Sequence, residues 1–384
     1  MDTVEPSPPG PIPPGSVPVG AAPDPAPPVL VRLPWHPIWF VLGVLLLVTV
    51  TAFGAAGLVR APYVVYAPGS AIETEPAIST PGTRAFSDDG RVLFLTVSLR
   101  GASKRIGYLE AAWGWVHGDQ DVFPRKLILG DQTGKQSREE ALQAMSSSQE
   151  VAAKVALEHL GYEVETTGRG AIVFETVAQA PVAKVLEPGD VIVGIDGAEV
   201  DLDPQLREEL ADDAPGDEVT LSVQRGGEGD PEDVDVELIA DPEEPDQARL
   251  GVSVVTRDLR YELPFPVTID TEDVGGPSAG LALTLGILDR LTDGSLTGGA
   301  VVAVTGTIDP EGGVGEVGGV AQKAVAARRA GATLMLVPAA EEADAERVAG
   351  DGLDVVGVDD LDDALAALAA VGGNALDLDR DGGR

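Results

Sequence analysis

Two residues of this sequence, a serine and a lysine, are the strongest candidates for chemistry. Ser278 follows Gly275, Gly276 and Pro277 in the segment DVGGPSAG (273–280), and the apolar run LALTLGILDRL after it has the length of a helix. A serine there is either the N-cap of the helix or a nucleophile, because serine caps helices well and attacks carbonyl groups when a base removes its proton. The segment alone leaves both interpretations open.

The base that could activate Ser278 is a lysine. All 3 histidines of the chain lie before residue 160, so a Ser-His-Asp triad is poorly supported. Lys323 is the one lysine after Lys184 and lies in the Ala/Val-rich segment VAQKAVAARRAG. Apolar surroundings lower the pKa of a lysine, whereas an arginine keeps its proton. A Ser-Lys dyad is therefore a hypothesis, and the alternative is a plain helix cap with a solvated lysine.

Composition limits the partners and cofactors of the chain. A formal net charge of -37 over 384 residues argues against a nucleic-acid partner, which requires cationic contacts to phosphate. The absence of cysteine excludes disulfides, Cys-ligated zinc and a cysteine nucleophile. Neither a GxxxxGK[ST] phosphate loop nor a calcium-loop spacing occurs in the sequence, so no nucleotide, no metal and no other cofactor is predicted.

One glycine-rich segment imitates a nucleotide-binding motif. Residues 313–318, GVGEVG, satisfy GxGxxG before a predicted helix. A dinucleotide site also needs an acidic residue at the end of a strand about 20 positions later, and the segment ATLMLVPAAE does not fit that requirement. The glycines are interpreted instead as a tight turn that leads into the helix of Lys323.

The two chain ends differ from the middle. Residues 1–37 are rich in proline and are predicted to be a disordered tail, and residues 373–384 form a polar tail. Residues 38–59 contain no charged side chain and cover about the ~30 Å of a bilayer core, which predicts one transmembrane helix. A cleaved signal peptide is the alternative, disfavoured by the length of the run and by the lack of a basic segment before it.

The middle of the chain is α+β. Residues 60–168 are predicted as an α/β region with the strand RVLFLTVSLR and a long helix, which starts at a capping box of Ser137 and Glu140 and stops at Gly161. Residues 169–255 form a small β-rich module of short strands with one short helix. Residues 256–372 alternate strand and helix and form a second α/β lobe.

The segments around Ser278 and Lys323 resemble a known family. GGPSAG, the pair Thr305-Gly306 and the pattern GxVGxVGGVxQKxxAAxRxGA (312–332) are similar to the proteolytic domain of Lon-type serine proteases. That resemblance implies that Ser278 is the nucleophile and Lys323 the base. The glutamate that commonly follows the Thr-Gly pair in the family is Thr307 here, so a third partner stays open. Residues that the resemblance implies as support are Thr305, Asp273, Gly276 and Ala279.

The β-rich module resembles a PDZ domain. The segment VAQAPVAKVLEPGDVIVGIDGAEV (177–200) carries the Pro-Gly-Asp turn before a strand that is typical of this fold. PDZ domains bind chain ends by strand addition, and backbone N–H groups receive the terminal carboxylate. The loop Gly168, Arg169 and Gly170 is predicted to be that site. A PDZ fold used only as a spacer or lid is the alternative.

Together, these features resemble the bacterial membrane-anchored PDZ/Lon-type proteases. The resemblance implies an ATP-independent serine endopeptidase that acts on unfolded or terminal polypeptide segments. It also implies a single-pass protein of the cell membrane whose soluble part lies outside the cytoplasm. Residues 60–168 would contribute to the protease domain, which makes the PDZ unit an insertion, and homo-oligomer formation is left open. The alternative function is a membrane-tethered PDZ scaffold with a silent protease lobe.

Overall fold

The computed structural model describes Gly10, residues 35–87 and residues 89–378. The predicted tail 1–37 lies outside these residues except for Gly10 and residues 35–37. Of the predicted polar tail 373–384, residues 373–378 are described, and Ala375 among them is buried. The helices in the described ranges are α1 (Trp35–Leu58), α2 (Tyr108–Val116), α3 (Arg125–Leu129), α4 (Gly134–His159), α5 (Asp203–Glu209), α6 (Gly280–Leu291), α7 (Val320–Arg329), α8 (Glu342–Ala349) and α9 (Leu361–Ala370).

The strands are short apart from two in the first third of the chain. They are β1 (Tyr63–Glu73), β2 (Ile78–Ser79), β3 (Arg91–Arg100), β4 (Asp121–Pro124), β5 (Glu165–Thr167), β6 (Ala171–Thr176), β7 (Val191–Ile195), β8 (Ala198–Glu199), β9 (Glu218–Gln224), β10 (Glu232–Glu237), β11 (Ile239–Ala240), β12 (Ala248–Arg249), β13 (Val252–Thr256), β14 (Arg260–Glu262), β15 (Thr268–Ile269), β16 (Val301–Val304), β17 (Thr307–Ile308), β18 (Val314–Gly315), β19 (Leu334–Pro338) and β20 (Asp354–Val358).

Residues 1–55 and 56–384 form two separate units, and α1 lies mostly in the first. The prediction of a transmembrane helix over residues 38–59 is wrong. Across residues 35–87 and 89–378, no helix combines the length and the apolar character that a bilayer crossing requires. A crossing needs about 20 consecutive, mostly apolar residues.

The second unit contains a mixed six-stranded sheet in the order β20-β19-β16-β3-β1-β4. β1 pairs with β3 and β4 antiparallel, whereas β16 lies parallel to both β3 and β19. Val302 of β16 faces Val92 on one side and Leu334 on the other. Strands from before residue 125 and from after residue 300 therefore share one sheet.

Helices cover both faces of this sheet because its strands alternate apolar side chains between the faces. On one face, Phe94, Val302 and Leu336 pack with residues of α4, α6 and α9 in the largest apolar core. On the other face, Ala303 and Met335 pack with alanines of α7 and α8. The resulting α/β/α layers place the start of α6 on one side of the sheet and α7 on the other.

The β-rich module has a core of its own. Its sheet has the order β10-β9-β7-β6-β13, with β8 paired to β7, and its core includes Ile192, Leu206 and Leu221. β5 pairs with β14, so the chain enters and leaves the module at adjacent positions. The module is thus inserted between α4 and α6 without separating the strands of the mixed sheet. The domain bounds given from the sequence stay predictions.

Candidate active site

A cavity of about 690 Å³ holds both candidate catalytic residues. Ser278 and Lys323 line it, together with Met145 of α4, Tyr66 of β1 and the loop before α7. Ser278 is half-buried, whereas Lys323 is only 2% exposed. The cavity lies where the start of α6 meets the ends of the central strands, so residues from both helical layers line it.

The serine sits on a turn that four hydrogen bonds hold in place. Gly276 has a φ of 100°, a conformation that favours glycine, and its N–H donates to Ala141 O at 2.7 Å. The Ser148 hydroxyl donates to Pro277 O at 3.0 Å. Ser278 O accepts from Gly306 N at 3.1 Å and from the Thr305 hydroxyl at 3.2 Å. These bonds fix the backbone and leave the Ser278 side chain at the cavity surface.

The lysine is buried in the apolar layer between α7 and the sheet. α7 starts after Gly319, which has a φ of 72°, and this turn directs Lys323 toward the end of β16. Its Nζ donates to Thr305 Oγ1 at 3.0 Å. Burial lowers the pKa of Lys323 to about 8, and the nearby Glu341 carboxylate opposes that shift. A lysine with this pKa has a substantial neutral fraction near pH 7.5, which a general base needs.

Thr305 connects the two candidate residues. Its hydroxyl accepts a hydrogen bond from Lys323 and donates one to the backbone carbonyl of Ser278. Within residues 89–378, no hydrogen bond joins the Ser278 hydroxyl to the Lys323 amine directly. Catalytic hydrogen bonds are often long without substrate and shorten when it binds. Thr305 is fully buried, so this link is shielded from water.

Substitution Thr305→Val is expected to destabilise the fold by about 1–3 kcal/mol, because it leaves the buried Lys323 amine without its acceptor. Valine has nearly the shape of threonine, so the loss reports the hydroxyl. The measurement is the free energy of unfolding in denaturant at pH 7. Thr305→Ser, which keeps the hydroxyl, is the control. Equal stability of Thr305→Val and the parent would contradict the bridging role.

The remaining predicted support residues surround the cavity in different ways. Asp273 is 92% exposed and forms an ion pair with Arg138 of α4 at 3.1 Å, so it lies at the mouth. The N–H of Gly276 is occupied by Ala141, and Gly276 therefore shapes the turn without an available donor. Ala279 is buried and lines the cavity beside the serine.

Sequence reasoning missed three residues that position the site. Ser148 and Arg138 lie on α4, more than 120 residues before the Ser278 turn, and their spacing carries no signal of that contact. Glu341 follows β19, and its carboxylate accepts from the N–H of Val317 in the loop before α7 at 2.9 Å. An acidic residue three positions after a buried strand is a signal that could have identified Glu341.

Two backbone donors of the predicted peptide-binding loop are already occupied. Arg169 N donates to Arg257 O at 2.9 Å, and Gly170 N donates to Asp201 O at 3.0 Å. Gly168 is closely packed, since a Cβ there would lie 2.4 Å from Asp201 O. Of the three, Arg169 also lines a shallow cavity of about 700 Å³.

A second groove of the module lies between α5 and β13. It has a volume of about 580 Å³, and Arg207, Arg249, Leu250 and Ser253 are among its lining residues. β13 is the last strand of its sheet, so one of its edges is unpaired within the sheet. An unpaired strand edge beside a helix can accept an extended peptide as a further strand.

Family comparison assigns both lobes. The model of the Lon protease (S16) C-terminal proteolytic domain matches residues 271–370, and that of the PDZ domain matches residues 159–238. The Lon protease of Methylocella silvestris is 37% identical over 123 residues, 31% of this chain and 15% of that protein. The Lon protease of Mycolicibacterium smegmatis is 31% identical over 122 residues, 32% of this chain and 15% of that protein. The chain thus spans a small part of the length of these relatives.

Among solved structures, the PDZ domain of an SdrC-like protein from Listeria monocytogenes is similar to 23% of this chain, with 88% of that domain covered, 27% identity and a TM-score of 0.20. At that score the structural likeness carries no weight, and the assignment stands on the sequence matches. On those matches the chain contains a proteolytic domain of the Lon type and a PDZ domain in the same polypeptide.

Proposed function

We propose that this protein is a serine endopeptidase that cleaves unfolded or terminal polypeptide segments, with Ser278 as nucleophile and Lys323 as general base. The observation that carries the proposal is a buried lysine of lowered pKa that lines the same cavity as the serine and is linked to its backbone through Thr305. Lys323 is the one lysine among the buried residues that the structure describes.

In the first half of the reaction, neutral Lys323 removes the proton of the Ser278 hydroxyl as its oxygen attacks the carbonyl carbon of the scissile peptide. The oxyanion that forms needs hydrogen-bond donors. Pro277 has no N–H and that of Gly276 is occupied, so the N–H groups of Ser278 and Ala279, in the turn directly before α6, supply them. Protonated Lys323 then transfers its proton to the leaving amine, and an acyl-enzyme remains.

In the second half, Lys323 removes a proton from water as the water oxygen attacks the acyl carbon, and the Ser278 oxygen leaves with that proton. Thr305 holds the amine throughout by accepting its hydrogen bond. The cavity of about 690 Å³ has room for a few residues of an extended chain, and the apolar part of its mixed lining, which includes Ile72, Leu95 and Leu142, can contact the side chains of an unfolded segment.

The test of this proposal is incubation of the full chain with an unfolded protein in the absence of nucleotide. The proposal expects cleavage by the parent protein and none by Ser278→Ala. Intact substrate after incubation with the parent would instead favour a PDZ scaffold with a silent protease lobe. Cleavage by both proteins would remove Ser278 from the mechanism.

We further propose that the groove between α5 and β13 selects protein substrates. Ser253 is exposed on β13 and lines this groove, so Ser253→Trp fills it without touching the Ser278 cavity. We expect Ser253→Trp to cleave a short peptide at the parent rate and an unfolded protein several-fold more slowly. Ser253→Ala, which adds no bulk, is the control. Unchanged rates on both substrates would show that the PDZ domain is a spacer.

A further inference from the structure

One carboxylate connects the rim of the catalytic cavity to the buried lysine. Glu341 ends a short 3-10 turn, Ala339–Glu341, that follows β19. β19 pairs with β16, and Leu336 O accepts from the N–H of Thr305, the residue that holds the Lys323 amine. Glu341 is thus attached to the same pair of strands that places the acceptor of the lysine.

The Glu341 side chain also fixes the cavity wall. Its Oε2 accepts from Val317 N at 2.9 Å, and Val317 lines the cavity with its neighbours Glu316 and Gly318. This loop carries three glycines in five residues before α7, at positions 315, 318 and 319, and so has little stiffness of its own. The bond from Glu341 is a tether between the loop and the rigid end of β19.

Glu341 is half-buried, which strengthens its electrostatic effect on a buried neighbour. Burial raises the pKa of Glu341, and the Val317 N–H and the Lys323 amine oppose that shift. The same attraction raises the pKa of Lys323 against the effect of burial. Other titratable or charged groups around the two residues are Tyr66 on β1, Glu316 in the loop, Asp344 on α8 and the Arg138–Asp273 pair across the cavity.

We propose that Glu341 is a positioning residue that tethers the cavity loop at Val317 and sets the electrostatic environment of the Lys323 amine. This inference rests on the proposed function of Lys323 as the base. Glu341 is not among the residues that line the Ser278 cavity, so it acts through the lysine and the loop. Two substitutions distinguish the tether from the electrostatic effect. Glutamine keeps an acceptor oxygen for Val317 but loses the negative charge, whereas alanine loses both.

The first readout is the pH dependence of peptide cleavage. In Glu341→Gln we expect the rising acidic limb of kcat to move to lower pH by roughly half a unit, with KM unchanged, because a nearby negative charge stabilises the protonated lysine. In Glu341→Ala we expect the same shift and a several-fold higher KM from the untethered loop. Glu346→Gln, an exposed carboxylate on α8, is the control and should shift neither quantity.

The second readout needs no activity. The pKa of Lys323 is followed by NMR titration of its 13Cε resonance, assigned with Lys323→Met, in the parent and in Glu341→Gln. A lower pKa in Glu341→Gln is expected. An unchanged pKa of Lys323 in Glu341→Gln overturns the electrostatic role. An unchanged KM in Glu341→Ala, together with unchanged resonances of the loop at Val317, overturns the tether. If the parent protein cleaves nothing, the proposed function fails, and this titration still decides the role of Glu341.

Discussion

Substitution Lys323→Met is expected to reduce peptide cleavage by about 10⁴-fold or more while leaving the protein as stable as the parent or more stable at neutral pH. Methionine keeps much of the volume of lysine and brings no charge into the buried site. The Thr305 hydroxyl still donates to Ser278 O in this variant, so it is not left without a partner. Activity and the free energy of unfolding are measured on the same preparation.

The stability part follows from the pKa of Lys323. Burial lowers it from 10.5 to about 8, and a difference of this size corresponds to roughly 3 kcal/mol. Between pH 8 and 10.5 the unfolded chain binds more protons than the folded one, so stability rises with pH across that window. Below pH 8 the buried Lys323 amine lowers the free energy of unfolding by its full amount. Removal of the amine therefore stabilises the fold at pH 7. The lost hydrogen bond to Thr305 reduces this gain by about 1 kcal/mol.

Lys323→Arg is the matched control that keeps the positive charge. A guanidinium does not release its proton in proteins and is larger than the ammonium, so this variant should be both inactive and less stable than the parent. An active Lys323→Arg protein, or a Lys323→Met protein clearly less stable than the parent, would contradict a buried neutral base.

Substitution Ser278→Ala is expected to reduce cleavage to the background rate, a loss of at least about 10⁴-fold, because alanine has no hydroxyl to attack the carbonyl carbon. Ser278 is half-buried, and all the hydrogen bonds that hold its turn involve backbone atoms of residues 276–278. Stability should therefore change by less than about 0.5 kcal/mol. A strong loss of stability would mean that the serine is a structural cap whose removal disrupts the site indirectly.

Ser148→Ala on α4 is the matched control for a purely structural hydroxyl. It removes the donor to Pro277 O but leaves the Ser278 side chain intact. We expect a partial loss of activity with a stability loss of about 1 kcal/mol. A larger effect on activity from Ser148→Ala than from Ser278→Ala would contradict the assignment of the nucleophile.

Local patterns in the sequence predicted the elements that carry the site. An apolar run after GGPSAG predicted a helix after Ser278, and α6 begins two residues later at Gly280. The alternation of strands and helices after residue 256 predicted an α/β lobe; β16, α7, β19 and α9 follow that alternation, but β16 and β19 share their sheet with β1, β3 and β4 from the first third of the chain. These patterns are local, since turn residues and apolar periodicity depend on a few neighbouring positions.

Contacts between distant segments could not be predicted in the same way. The contribution of α4 to the serine turn depends on the packing of α4 against α6, which no spacing in the sequence encodes. The start of α4 was also misplaced. The predicted capping box used Ser137 and Glu140, whereas Thr133 and Gln136 form the box and start the helix one turn earlier. Both pairs fit the pattern, and tertiary contacts select between them.

The most direct test of the Ser278–Lys323 pair is the rate of labelling by a fluorophosphonate probe as a function of pH, with the modified residue located by mass spectrometry. The pair predicts a single adduct on Ser278. Its rate should rise with a midpoint near pH 8, the pKa of Lys323, and labelling should be lost in Lys323→Met. An adduct on another residue, or a labelling rate in Lys323→Met equal to that of the parent, would contradict the catalytic pair.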